Sequence, residues 1–149
     1  MMDNFQVREM ELYDLLNVGK VEAASYDNPW PQDIFFRELV ENTHAHYFVA
    51  TLDGEVIGYG GMWLVVDDVQ ITNIAIHPSH RGHKYGEKLF RKMIDYGLQH
   101  GMKRLSLEVR KSNIVAQRMY EKFGLVRAGI RKNYYTDDGE DAVVMWVTT

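Results

Sequence analysis

Gln70 to Gly86 read QITNIAIHPSHRGHKYG, an apolar strand that passes through a proline and a basic, glycine-bearing loop into a helix. Ile71, Ile74, Ala75 and Ile76 have the composition of a strand, and Pro78 stops the ladder because it lacks a backbone donor. Gly82 and Gly86 allow the backbone to turn its amides toward one point, and the amphipathic run after Gly86 starts a helix. Free N–H groups and the positive dipole end make a helix N-terminus a good anion site, and Arg81 and Lys84 place full charges beside it. Arg81, Gly82, His83, Lys84, Tyr85 and Gly86 therefore read as a pyrophosphate cradle. The competing reading is an ordinary strand-to-helix connection with solvated basic residues.

Downstream of this stretch, Leu89, Phe90, Met93, Ile94 and Leu98 form one apolar helical stripe that closes near Gly101. Arg104 to Val109 alternates, with Leu105, Leu107 and Val109 on one face and Glu108 on the other, away from the helix-covered side. Ser112 or Asn113 can cap a further helix carrying Ala116, Met119, Tyr120 and Phe123, with Gly124 as its stop. Leu125 to Ile130 and Asp141 to Val147 read as a final strand pair, joined through Asn133, Tyr134, Tyr135 and an Asp138-Gly139 turn.

Upstream, Phe5 to Arg8 can form a strand, followed by a helix with Leu12, Leu15, Leu16 and Gly19 at helical spacing. Tyr26, Asn28, Pro29, Trp30 and Pro31 make a rigid aromatic connector into a second helix with Ile34, Phe35 and Leu39. Tyr47 to Leu52 and Glu55 to Val65 flank Asp53-Gly54 as a hairpin, and Asp67-Asp68 returns the chain into the Gln70 strand. Gly58, Gly60 and Gly61 mark a bulge or a close backbone approach. The pattern predicts an α/β fold in one domain spanning residues 1–149, a mixed sheet with neighbouring antiparallel strands and helices on both faces.

Composition narrows the function. The 149 residues are 46% hydrophobic and 26% charged, ordinary for a globular chain able to bury a core. No apolar run approaches a membrane span, and MMDNFQVREM lacks a signal core, so a cytoplasmic protein without membrane contact is expected. The absence of cysteine excludes disulfides, thiolate metal sites and cysteine nucleophiles. A net charge of −4 argues against nucleic-acid binding and leaves room for a cationic substrate.

Asn113 and Tyr120 share a helix face about two turns, or ~10 Å, apart, and Glu108 ends the strand that feeds that helix. A carboxylate, an amide and a phenol then converge near the carboxyl end of a strand, where open α/β sheets place ligands. The stretch NIAIHPSHRGHKYG resembles the acetyl-CoA-binding motif of the Gcn5-related N-acetyltransferase (GNAT) family. LEVRKSNIVAQRMYEKFGL and GIRKNYYTDDGEDAVVMWV, with NPW near residue 30, are similar to its bacterial ribosomal-protein-alanine branch. This resemblance covers nearly the whole chain and implies a mixed, mostly antiparallel sheet and direct acetyl transfer from acetyl-CoA to an amine.

The resemblance also implies roles. Glu108, at the LEVR position, is the candidate base, directly or through a water, and Tyr120, in the MYE segment, protonates the leaving thiolate. Asn113 hydrogen-bonds the pantetheine arm, and main-chain groups of Ile74, Ala75 and Ile76 hold the thioester. Independently of the resemblance, the aromatic residues Trp30, Tyr134 and Tyr135 suit the lining of a peptide groove. The implied partner is a protein N-terminus, that of a ribosomal protein beginning with alanine. At pH 7 an α-amine is roughly one-seventh neutral and a lysine about one part in 2,500, so a modest base suffices for the former. Where the family usually has glycine, this chain has Lys84, which predicts either ordinary helix-entry geometry or an altered phosphate contact.

Other readings stand beside these. Glu108 could be a solvated carboxylate paired with Arg110, Tyr120 a core-edge residue, Asn113 only a cap, and Trp30, Tyr134 and Tyr135 core packing. Pro78 and Gly82 separate His77, His80 and His83, so no metal is expected, and His44 and His46 read as surface residues. Asp137, Asp138, Glu140 and Asp141 suit either a solvated hairpin tip or attraction of a basic peptide. Acetylation of a lysine or small amine on the same fold, and a non-catalytic acyl-CoA-binding module, remain the alternatives. The module would need Arg81 to Gly86 and Asn113 but not Glu108 together with Tyr120.

Overall fold

Strands β1 (Phe5–Glu9), β2 (Ala45–Leu52), β3 (Glu55–Val65), β4 (Asp68–Ile76), β5 (Arg104–Arg110), β6 (Val126–Arg131) and β7 (Ala142–Thr148) form one sheet in the order β1-β2-β3-β4-β5-β7-β6. The structure, a computed structural model, describes residues 4–26 and 29–149, so the connector residue Asn28 lies outside the described residues. All neighbouring strands are antiparallel except β4 and β5, which run parallel. Helices α1 (Leu15–Ser25) and α2 (Gln32–Val40) cover one face, and α3 (Tyr85–Gln99) and α4 (Ile114–Lys122) the other. The period of two in β2 supplies both cores: Phe48 and Ala50 pack with Leu89, Phe90 and Met93, while Tyr47 and Val49 pack with Val18, Val21 and Phe35. Among the described residues no helix is long and apolar enough to cross a membrane.

The β2–β3 hairpin turns on Asp53 (φ 51°) and Gly54 (φ 85°), as Asp-Gly leads one to expect. The β3–β4 turn is displaced from the expected Asp67-Asp68. Val65 pairs with Asp68, which leaves Val66 and Asp67 at the tip with Val66 at φ 59°. The Asp67 carbonyl is held there by the Lys103 and Arg104 amides at the start of β5. In β3 both readings of the glycines hold. A Cβ on Gly61 would lie 2.3 Å from the Tyr47 ring and one on Gly60 2.5 Å from Met93 Sδ, and the register of β4 slips by one residue at Thr72.

Two helical stripes differ from expectation. Leu12 and Leu16 are 52% and 62% exposed, and α1 instead buries Val18, Val21 and Glu22, because its packing face is rotated toward Tyr59 of β3. In α3, Leu98 is exposed and Gly97 takes the buried place, close against Met102.

Candidate active site

Pairing of β4 with β5 stops at Gln70 with Ser106, although the strands run on to Ile76 and Arg110. The extra residue at Thr72 bends β4 away from its parallel neighbour, as bulges do. The resulting wedge holds a cleft of about 580 Å³ between Ile71–Ile74 and Leu107–Arg110. Tyr26 and Trp30 close it from the α1 side, Tyr134 and Tyr135 from the segment before β7, and Asn113 and Tyr120 from α4.

Glu108 lies in this cleft with 10% of its side chain exposed. Its partner is not Arg110: Oε1 is 3.5 Å from Arg131 Nη2, and Oε2 accepts a long bond of 3.4 Å from Gln70 Nε2. Tyr120 is buried with its ring 5.0 Å from Phe90, and burial pushes its phenol up, so it stays protonated. Asn113 is both cap and cleft residue, since its Oδ1 accepts from the Ala116 amide at 3.2 Å while it lines the cleft. Gln117, which the sequence reading missed, is buried beneath them. Its Nε2 donates to the carbonyls of Arg110 and Lys111, both at 3.0 Å, and so fixes α4 to the end of β5. A glutamine on the apolar face of a helix was the available signal.

The loop after β4 enters α3 through two left-handed residues, not through ordinary helix-entry geometry. Gly82 has φ 86° and Lys84, at φ 65° and ψ 18°, adopts the left-handed conformation and caps α3. The helix begins at Tyr85, so Gly86 is a helical residue and makes no turn. Arg81 Nε donates to the Ile76 carbonyl at 2.9 Å, which ties the loop to β4. The Tyr85 side chain is buried and stacks on Phe5 at 4.8 Å. His83 packs 5.6 Å from that ring. Of the three expected thioester holders, Ile74 lines the cleft, and the Tyr26 hydroxyl donates to its carbonyl at 3.2 Å. Ala75 and Ile76 are buried on opposite faces of the sheet and do not line it.

The acidic run after β6 is neither a free hairpin tip nor a free peptide attractor. Asp137, Asp138 and Glu140 converge on the Arg110 guanidinium at 2.9, 3.0 and 3.0 Å, and Tyr135 lies 4.0 Å from its Cζ. Burial would lower the Arg110 pKa, but the bonds from Asp137, Glu140 and Asp138 raise it above its ordinary value. The Glu140 carboxyl is held down by its bond to Ser112 and by Arg110, and Asp138 by the Glu140 amide and Arg110. Desolvation pushes Tyr135 up to about 12. This latch seats Tyr134 and Tyr135 at the cleft.

Glu22, also missed, lines the cleft from α1 at 3% exposure, accepting bonds from the Tyr59 hydroxyl and, at 2.8 Å, the Trp30 amide. Trp30 in turn packs 5.5 Å from Phe35, so it serves core and cleft together. His46 is half-buried against Tyr96, with its ring nitrogen 3.0 Å from that hydroxyl, rather than a surface residue; desolvation lowers its pKa. His77 caps the short turn after β4 by accepting from the Ser79 amide. Among the described residues no group of three His, Asp or Glu side chains could hold a metal ion.

Comparison with known proteins agrees with this architecture. Residues 10–125 match the family described as the Acetyltransferase (GNAT) family. The chain is 54% identical over 142 residues to the putative [ribosomal protein bS18]-alanine N-acetyltransferase of Bacillus subtilis, covering 95% of this chain and 94% of that one. It is 33% identical over 138 residues to the N-alpha-acetyltransferase RimI of Mycobacterium tuberculosis, covering 89% and 85%. The crystal structure of the ribosomal-protein-S18-alanine N-acetyltransferase from Escherichia coli superposes with a TM-score of 0.90 at 31% identity, over 97% of this chain and 94% of that one.

Proposed function

The chain belongs to the GNAT acetyltransferase family, and from that premise we propose that it acetylates the α-amino group of a protein, the N-terminal alanine of a small-subunit ribosomal protein, using acetyl-CoA as co-substrate. The transfer is direct, without an acyl-enzyme. The observation that carries this reading is the wedge between β4 and β5, which brings Glu108 and Tyr120 from different elements to one cleft. The relatives named for alanine N-acetylation supply the substrate class.

The residues divide the work. The amides at the start of α3, with Arg81 and Lys84, hold the pyrophosphate, and Asn113 meets the pantetheine arm. The main chain of the unpaired β4 edge at Ile74 holds the thioester. Glu108 removes a proton from the acceptor ammonium, directly or through a water, and the freed lone pair attacks the thioester carbon. As the carbon–sulfur bond breaks, Tyr120 gives its proton to the thiolate, and the second proton of the former ammonium, left on the new amide nitrogen, returns to the Tyr120 phenolate. Its hydroxyl suits the task because burial keeps it protonated and it makes no hydrogen bond to another described residue. Tyr134, Tyr135 and Trp30 form the walls for the peptide.

Glu108→Gln keeps shape but removes the base, and Tyr120→Phe removes only the acid. Each should lower turnover by ~100-fold or more with coenzyme A affinity near wild type. Wild-type acetylation rates in both variants, where chemistry limits, would make Glu108 and Tyr120 structural and refute this mechanism.

A further inference from the structure

The core holds two buried carboxylates among the described residues, Asp14 and Glu22. Asp14 has a cation, with the Arg8 guanidinium at 2.7 and 2.9 Å. Glu22 has none: its partners are a phenol and a backbone amide, both neutral, and it enters no ion pair with a described residue. A buried carboxylate without a counter-charge is costly, so its retention at a cleft points to a cation that arrives from outside. One turn along the same face of α1, Ser25 Oγ is the one buried side-chain polar atom without a hydrogen-bond partner among the described residues. Both residues line the cleft. Among the described residues the only cationic side chain lining it is Arg110, and Asp137, Asp138 and Glu140 already occupy that guanidinium.

We propose that Glu22 and Ser25 form the subsite that receives the acceptor's α-ammonium group, an assignment that rests on the acetyltransferase reading above. An α-amine arrives roughly six-sevenths protonated at pH 7, carrying a positive charge and three donors to a site with one negative charge and one unpartnered hydroxyl. Glu22 thus holds the amine as it docks, and Glu108 removes the proton that blocks attack. They are a positioning residue and a catalytic residue of the same step.

The test compares two peptides of one sequence, one beginning with free alanine and one with a propionyl group, which lacks only the amine. Binding is measured by calorimetry in coenzyme A, so that no transfer occurs. Wild type should bind the free-amine peptide ~10-fold or more tightly than the propionyl peptide. Glu22→Gln, which keeps an acceptor oxygen, should reduce that preference to less than ~3-fold, and Ser25→Ala should reduce it partly. The wild-type preference should also shrink from pH 6.5 to 9.5 as the ammonium is lost. The phenols beside Glu22, Tyr26 and Tyr59, are held above their ordinary value by desolvation. The other charged groups at the cleft are Glu108, which Arg131 approaches, and Arg110 with its three carboxylates. Equal binding of the two peptides by wild type, or a full preference in Glu22→Gln, overturns the subsite while leaving acetylation of the alanine peptide intact. Failure of wild type to bind either peptide overturns the protein N-terminus as acceptor and the subsite together.

Discussion

Lys84→Gly isolates the backbone cost built into the anion cradle. Lys84 sits at φ 65°, ψ 18°, where a residue with a Cβ is less stable than in right-handed conformations by ~1–2 kcal/mol. Glycine removes that penalty but gives back ~0.4–1 kcal/mol because it is freer in the unfolded chain. The net gain therefore lies between ~0 and ~1.6 kcal/mol and centres near ~0.8 kcal/mol, which for a chain of this size raises the melting temperature by roughly 2–3 °C. Lys84→Ala keeps a Cβ and removes the same charge, so comparing Gly with Ala reports the backbone balance, and comparing Ala with Lys reports the side chain beyond Cβ. Differential scanning calorimetry reads the first comparison. Titration with coenzyme A reads the second, where Lys84→Ala should weaken binding more at low salt than at high salt. A Gly variant no more stable than the Ala variant would refute the left-handed assignment, and equal weakening at both salts would make the lysine's role steric.

The Arg110 latch predicts that Arg110→Gln raises the peptide KM and leaves the KM for acetyl-CoA near wild type, checked by steady-state kinetics. Asp138 and Glu140 have pKa values below their ordinary 3.8 and 4.5, so their contribution to stability is present above that range and is lost as pH falls through the lowered values. The melting difference between wild type and Arg110→Gln should therefore be full at pH 7 and shrink below about pH 4. Gly61→Ala should cost ~1–3 kcal/mol in denaturant unfolding, because its Cβ would lie 2.3 Å from the Tyr47 ring and 2.7 Å from Asn73 Oδ1. Gly60→Ala should cost less, since the clash is with Met93 Sδ at the end of a flexible side chain.

Local patterns carried much of this fold into the sequence. The Asp53-Gly54 hairpin, the alternation of β5 and the Asn113 cap each depend on neighbours in the chain, and each is found in the structure. The features that escaped depend on distant partners. The wedge exists because parallel pairing ends at Gln70 and Ser106, and no periodicity encodes where a ladder stops. Arg110 reads from sequence only as a partner for Glu108, until the chain 27 positions later folds back onto it. Glu22 reads as hydrophilic, yet α1 is rotated so that this carboxylate, rather than Leu12 or Leu16, faces the sheet. Gly86 reads as the turn residue, whereas the positive φ falls two residues earlier, on a lysine that local preference disfavours there.

The central claim, acetyl transfer to a protein α-amine, is tested most directly by mass spectrometry that locates the added acetyl group. One peptide begins with a free alanine; the other has that amine blocked and retains an internal lysine, whose neutral fraction at pH 7.5 is several-hundred-fold smaller. Incubation with the enzyme and acetyl-CoA from pH 6 to 9 should give rapid acetylation of the alanine nitrogen and little modification of the blocked peptide. Acetylation of the blocked peptide at the same rate at pH 7.5 would contradict the account and assign the activity to lysine.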